Sequence, residues 1–261
     1  MLVSVVIPCF DANKTIEDTL NSVFQSTFKD FEVILINVAG TLDEAILERW
    51  KTEKCSGKLR VYRTKTVKGP AENRNFAIKV AKGKYIAFLD ADDLWAEDKL
   101  YRQLKVMNNC TIKGRHPSIC FTGRKLIDEN GNDLNHYIGC DKIIRYQNLL
   151  KTNQINCSSV ILLREDALKH KFPDGNFHED YVVWLSVLKE NPHNYAVGID
   201  EPLLIYRMQN NSRSGHKLKS ALMTERVYRY MKIPFFVRIV CMITYLCAGV
   251  LKYSGSKNII L

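Results

Sequence analysis

The chain has 261 residues, 46% hydrophobic and 25% charged, enough to bury a core as one large domain or two small ones and inconsistent with a disordered chain. Its net charge of +10 is unevenly placed: residues 207–261 hold ten Lys/Arg against Glu225 alone, whereas residues 1–206 hold 28 Lys/Arg against 27 acids. A basic stripe confined to one end excludes the usual footprint of a nucleic-acid binder and points instead to an anionic membrane surface.

Residues 2–7 (LVSVVI) are a β-branched run stopped by Pro8, read as a first central strand. The run is too short for a signal peptide, so residence in the cytosol is expected. Ile16, Leu20, Val23 and Phe24 recur at helical spacing, with Asn13 or Thr15 as cap. Residues 31–36 (FEVILI) read as a second strand, 43–50 as a helix and 58–63 as a short strand. A turn at Gly69 and Pro70 leads into a helix over 72–81, which Gly83 ends. Strand, helix, strand, helix, strand is the pattern of an α/β domain with a mostly parallel sheet. Eight cysteines lack any CxxC or Cys/His ligand spacing and are expected to be reduced core residues.

Residues 85–89 (YIAFL) read as a buried strand that ends abruptly in acid, at Asp90, Asp92 and Asp93. Like charges this close repel unless a cation or bound donor sits among them. The crevice beyond the carboxyl ends of strands is also where open α/β sheets bind ligands. A hard divalent ion, Mg²⁺ or Mn²⁺, is the first expectation, since it takes one or two carboxylates plus substrate phosphates. The plainer alternative is a solvated turn with Asp93 capping a helix over 94–106. Helix is expected over 99–107, a hairpin from 118–122 and 125–127 with Asp128, Asn130 and Gly131 near its turn, a strand over 158–163 and a short helix over 164–170. A buried helix over 181–188 follows the triplet His178, Glu179 and Asp180.

Four segments together resemble the inverting family 2 glycosyltransferases over about residues 1–215: SVVIP at 4–8, NSVFQSTFKDFEVILI at 21–36, ENRNFAIKVAKGKYIAFLDADDLW at 72–95 and HEDYVVWLSVL at 178–188. The resemblance implies a GT-A fold, a single Rossmann-like domain whose nucleotide half spans about 1–115 and whose acceptor half spans about 116–215. It also implies a UDP-sugar donor and a metal at the Asp-x-Asp, with Asp92 and Asp90 as ligands and His216 as a third. Asp180 is then the base that takes the acceptor proton, with Glu179 beside it holding the acceptor or orienting the loop. Asp90 is assigned to the donor ribose or to metal support, and Asp93 to capping or to support of the metal site. Arg74 matches the family's arginine at the donor diphosphate or base. Arg207 and Arg213 fall where relatives carry a mobile loop over the diphosphate, and arginine forks suit phosphate. Pro8, Phe10 and Asp11 are expected to border the base pocket. Relatives follow the second strand with Asp-Asp-Gly-Ser; here Asn37, Val38, Ala39, Gly40 and Thr41 stand instead, and Asn37 retains an amide and a carbonyl for a uracil edge.

The chemistry agrees with these residue types. Breaking a sugar-diphosphate bond requires stabilising charge on the leaving group, which a metal does as a Lewis acid, while a carboxylate suits removal of the acceptor proton. Residues 216–261 are expected to form a basic amphipathic tail. Its apolar run over 233–251 is interrupted by Arg238, leaving 13 uninterrupted residues, short of the roughly 20 a spanning helix needs. It is expected to lie in the anionic inner face of the cytoplasmic membrane, with a tilted span and a helix packed on the domain as alternatives. The resemblance to short bacterial members implies an acceptor saccharide on undecaprenyl diphosphate, in O-antigen or capsule assembly, and no nucleic-acid partner. The rival readings are a nucleotidyltransferase, which lacks its Gly-rich phosphate loop here, and a sugar-nucleotide-binding module that has lost its chemistry.

Overall fold

Strand β1 (Val3–Cys9) sends Val3, Val5 and Ile7 into one core and Val6 into another, so the sheet it nucleates must be covered on both faces. The computed structural model describes residues 1–54, 57–65, 69–209 and 217–253. Helix α1 (Ile16–Phe24) buries Ile16, Leu20 and Val23 on the first face. Strand β2 (Phe31–Asn37) is buried at every residue and pairs in parallel with β1. Helix α2 (Glu44–Arg49) is capped by Asp43, whose carboxylate accepts from Ala45 N at 2.9 Å. Strand β3 (Leu59–Arg63) closes the parallel edge. Helix α3 (Pro70–Val80) starts at Gly69-Pro70, with proline in the first turn where its missing N–H costs nothing. Strand β4 (Tyr85–Phe88) then returns alongside β1 in parallel.

Beyond the acid run the chain departs from its expected order. Leu94 and Trp95 form a two-residue strand, β5 (Leu94–Trp95), against the far edge of the sheet, so the helix that follows, α4 (Lys99–Asn109), starts at Lys99 and is not capped by Asp93. The expected hairpin within 118–127 is one continuous strand, β6 (Ile119–Ile127). The turn comes after it: Asp128 accepts from the amides of Asn130 and Asn132, Gly131 has φ 90°, and β7 (Asp133–Ile138) returns antiparallel. Strand β8 (Ile143–Ile144), helix α5 (Tyr146–Lys151), strand β9 (Ile161–Leu163), helices α6 (Arg164–Lys169) and α7 (Glu179–Lys189) and the long strand β10 (Ala196–Arg207) complete the domain. The sheet runs β3-β2-β1-β4-β9-β6-β10-β5. It is parallel over its first four strands and mixed beyond, because β9 pairs antiparallel with both β4 and β6.

Helices α8 (Lys217–Tyr230) and α9 (Phe235–Tyr253) pack on this body. Val227, Tyr228, Ile233 and Cys241 join the core beneath α5 and α7, and the Tyr228 hydroxyl donates to Leu150 O at 2.6 Å. The stretch expected to be a separate tail from residue 216 is therefore continuous with the domain in its packing. Among the described residues no helix is long and apolar enough to cross a membrane. Cys9, Cys110, Cys120, Cys140, Cys157 and Cys241 are free.

Candidate active site

The acid run lies where β4 ends, and neighbouring elements clamp it from both sides. The hydroxyls of Thr15 and Thr19, at the start of α1, donate to Ala91 O at 2.8 and 3.0 Å. From the other side Asp90 N donates to Ser158 Oγ at 3.1 Å, and Trp95 Nε1 donates to Ser158 O at 2.8 Å. The three carboxylates so held point to different tasks. Asp93 is buried and accepts from Arg207 N at 3.0 Å, while its Oδ2 has no partner. Burial, then the charges of Asp92 and Asp90, raises its pKa well above the ordinary aspartate value. Its role is to tie the acid turn to the end of β10. Asp92 is partly exposed, and its Oδ2 accepts from Gln209 Nε2 at 2.6 Å. Burial and the Asp90 charge push it up to about 6.

Asp90 connects the turn to a second carboxylate pair 105 residues from Arg74 in sequence. Arg74, 4% exposed on α3, donates through Nη2 to Asp90 Oδ1 at 2.6 Å and through Nη1 to Glu179 Oε1 at 3.1 Å. Its guanidinium carbon stands 5.5 Å from the centre of the Phe172 ring, and its Nε is buried without a partner. Burial acts to lower its pKa, but the negative groups around it, with Asp90, Glu179 and Asp180 among them, hold it above the ordinary arginine range. Asn75, on the same helix, pairs reciprocally with the Phe172 backbone, donating to its O at 2.7 Å and accepting from its N at 2.9 Å. Asp180, the second residue of α7, is partly exposed, with Oδ1 accepting from Tyr181 N at 2.8 Å. Burial and then Glu179 raise its pKa, against the lowering influence of His178 and Arg74.

The remaining expected residues divide. Phe10 is exposed, and Asp11 adopts φ 48° with its N donating to Thr41 Oγ1 at 2.9 Å, so the loop after β1 is tied to the loop after β2. Pro8 lies past the last residue that β4 pairs. Asn37 is fully buried: its Oδ1 accepts from Leu42 N at 3.2 Å, and its Nδ2 is enclosed without a partner. Through Leu42 N it ties the turn after β2 to the end of that strand. Arg207 is likewise not in a mobile loop. It ends β10, 4% exposed, donating from Nε to Asp92 O at 2.9 Å and from Nη1 to Glu129 O at 3.2 Å. Its guanidinium braces the acid turn and stands 3.5 Å from Asp18 Oδ2. Arg213 and His216 lie outside the described residues. Gln209, Ser158, Thr15 and Thr19 were not legible as site residues, since only the third dimension brings them to Asp90, Ala91 and Asp92.

Residues 4–172 match the model of the family described as glycosyl transferase family 2. The chain is a family 2 glycosyltransferase. It is 35% identical over 248 residues, 94% of each chain, to TuaG of Bacillus subtilis, a glycosyltransferase named for teichuronic acid biosynthesis. It is 29% identical to WfaP of Escherichia coli, a UDP-Glc:alpha-D-GlcNAc-diphosphoundecaprenol beta-1,3-glucosyltransferase, over 98% of this chain and 96% of that one. Among solved structures, S. aureus TarS in complex with UDP-GlcNAc superposes with a TM-score of 0.68 at 17% identity, covering 98% of this chain and 74% of that one. The mannosyltransferase PcManGT from Pyrobaculum calidifontis, in complex with GDP-Man and Mn²⁺, superposes with a TM-score of 0.68 at 16% identity, covering 98% and 76%. These two likenesses establish the GT-A fold of the glycosyltransferase, and family membership removes the nucleotidyltransferase reading. Asp90 and Asp92 offer two partly exposed carboxylates on one turn, a donor set that suits a hard divalent ion. Among the described residues no group of three or more His, Cys, Asp and Glu is arranged to hold an ion.

Proposed function

We propose that this glycosyltransferase moves a hexose from a UDP-sugar to a hydroxyl of a saccharide carried on undecaprenyl diphosphate, with inversion, during assembly of a bacterial surface polysaccharide such as O-antigen or capsule. The observation that carries the reading is the Arg74 bridge, which joins Asp90 of the acid turn to Glu179, next to Asp180. The donor half is taken as residues 1–115 and the acceptor half as 116–215. Asp180 accepts the proton of the acceptor hydroxyl as that oxygen bonds to the anomeric carbon. The bond from that carbon to the diphosphate oxygen breaks in the same step, and UDP leaves with the bonding pair. A single displacement inverts the centre. Burial beside Glu179 raises the pKa of Asp180, which makes it a stronger base than a solvated aspartate. Glu179, ion-paired with Arg74, holds the corner beside the base. Mn²⁺ or Mg²⁺, held by Asp92 with Asp90, would supply Lewis-acid charge to the departing diphosphate. Pro8, Phe10 and Asp11 border the nucleotide base. The names of TuaG and WfaP support a surface-polysaccharide setting and, for WfaP, a diphosphoundecaprenol acceptor.

The enzyme works as a peripheral protein on the inner face of the cytoplasmic membrane. Phe236, Ile239, Val240, Ile243 and Leu246 form an exposed stripe on α9 at helical spacing, and Arg226, Arg229 and Lys232 lie exposed nearby. Basic residues near an anionic surface contribute about 1 kcal/mol each.

Transfer from a panel of UDP-sugars to synthetic diphosphate-lipid acceptors tests the reaction, with the product anomer read by NMR. Asp180→Asn should lower transfer by roughly two to four orders of magnitude while leaving donor affinity intact. Chelation should stop wild-type transfer, and added Mn²⁺ or Mg²⁺ should restore it. Normal transfer by Asp180→Asn, or full activity in excess chelator, would remove the corresponding part of the mechanism. Cosedimentation should favour vesicles containing phosphatidylglycerol over neutral ones.

A further inference from the structure

The segment that delivers Glu179 and Asp180 to the site has no helix or strand from residue 171 to 178. Asn75 pins its start at Phe172, but the residues immediately before the carboxylates are held from outside, by α8. Arg226 Nη1 donates to Asn176 O at 3.0 Å. The Tyr230 ring packs on the Phe177 ring with centroids 5.3 Å apart. Ser220 Oγ meets His178 Nε2 at 3.2 Å, and the same hydroxyl bonds the Tyr245 hydroxyl of α9 at 3.1 Å. Three consecutive residues of the segment are thus each gripped by a different side chain of one helix. At about 100° per residue, Ser220, Arg226 and Tyr230 fall within roughly 120° of one another around the α8 axis, so one side of the helix makes all three contacts.

A segment held only for stability needs burial, and these contacts do not supply much of it. Arg226 and Tyr230 are exposed, and Ser220 is partly so. What the contacts do supply is direction. His178 is the cap residue of α7 and makes no capping bond with its side chain, which is turned instead toward Ser220. The position of the imidazole therefore sets the entry angle of the helix that opens with Glu179 and Asp180. A base misplaced by about 1 Å costs about a hundredfold in rate.

We infer that α8 is a positioning strut for the catalytic corner, with Ser220, Arg226 and Tyr230 setting where Asp180 stands relative to the acceptor. The inference rests on the reading of Asp180 as the base. The three strut residues act through Asn176, Phe177 and His178.

The test uses the full-length enzyme carrying Ser220→Ala, Arg226→Ala or both, with Ser220→Thr and Arg226→Lys as conservative returns. Ser220→Ala removes a single partly exposed oxygen and leaves the fold able to form. The double alanine variant should lose at least tenfold in kcat, with donor KM within twofold and melting temperature within a few degrees of wild type. Thr and Lys should regain most of kcat. Unchanged kcat in the alanine variants would overturn the strut, as would losses of kcat that follow melting temperature and are not regained by Thr and Lys. Asp180→Asn is assayed in parallel. If it transfers at the wild-type rate, the base assignment falls and takes the strut with it; if it is dead while the strut variants are fully active, the strut falls alone.

Discussion

Removing the Arg74 guanidinium by Arg74→Met should expose how unequal its two ion pairs are. The Nη1 contact with Glu179 is 3.1 Å long between side chains only 5% and 8% exposed. At an effective dielectric of about 20 that attraction is on the order of 5 kcal/mol before desolvation is subtracted. Breaking a buried pair from one side costs about 3–5 kcal/mol, because the surviving charge is stranded. The Asp90 contact is shorter, 2.6 Å, but its carboxylate is 39% exposed, so water screens it to under about 1 kcal/mol. Glu179 therefore decides the outcome. Urea denaturation of Arg74→Met should show a loss of about 3–5 kcal/mol, leaving a foldable domain if the parent lies in the upper part of the usual range of about 5–15 kcal/mol. A double-mutant cycle with Glu179→Gln should give a coupling of about 2–3 kcal/mol, and one with Asp90→Asn less than about 1 kcal/mol. Additivity of Arg74→Met and Glu179→Gln to within about 0.5 kcal/mol would refute the bridge, and so would a larger coupling to Asp90.

Asp92→Asn should abolish transfer yet stabilise the fold. The folded carboxyl is raised to about 6 from an ordinary value of 3.8, so native protein binds the extra proton and wild-type stability falls as pH rises through that window. The variant's advantage in melting temperature should be full above pH 6 and vanish below about pH 4. Lys99 is fully buried under Trp95, and burial lowers its pKa to about 7. Lys99→Met should stabilise by on the order of 1–4 kcal/mol at or below pH 7, less about 1 kcal/mol for the unpaired Gln103 Oε1, with the gain shrinking as pH rises toward 10.5. Gly83→Ala would set a methyl 2.5 Å from Ser4 N and 2.7 Å from Val3 C, both backbone atoms, and should cost about 1–3 kcal/mol by urea denaturation. A chain ending at residue 216 should be insoluble or bind hydrophobic dye, since it lacks Val227, Tyr228, Ile233 and Cys241 from the core; a soluble, cooperatively melting product would show that α8 and α9 are dispensable.

Local pattern determined much of this protein. β-branched runs at 3–9 and 31–37, apolar spacing in α1 and the Gly69-Pro70 start of α3 each satisfy their own backbone and burial requirements, so they were readable without neighbours. The positions of the carboxylates at 90, 92 and 180, at the end of a buried strand and the start of a buried helix, were readable for a related reason, since such an acid is conspicuous wherever the rest of the chain goes. Tertiary structure decided which way each polar group faces. Asp93 looked like a helix cap until β5 paired with β10 and moved the start of α4 to Lys99. Arg207 and Asn37 read as donor ligands from residue type, which records what a side chain can bond and not the protein groups it meets, here Asp92 O at 2.9 Å for Arg207 and Leu42 N at 3.2 Å for Asn37. Basic and apolar residues beyond 216 read as a surface tail for the same reason. Their outward stripe was legible from helical period, but that Tyr228 would reach Leu150 and Ser220 would reach His178 depends on contacts 78 and 42 residues apart, which no local pattern encodes.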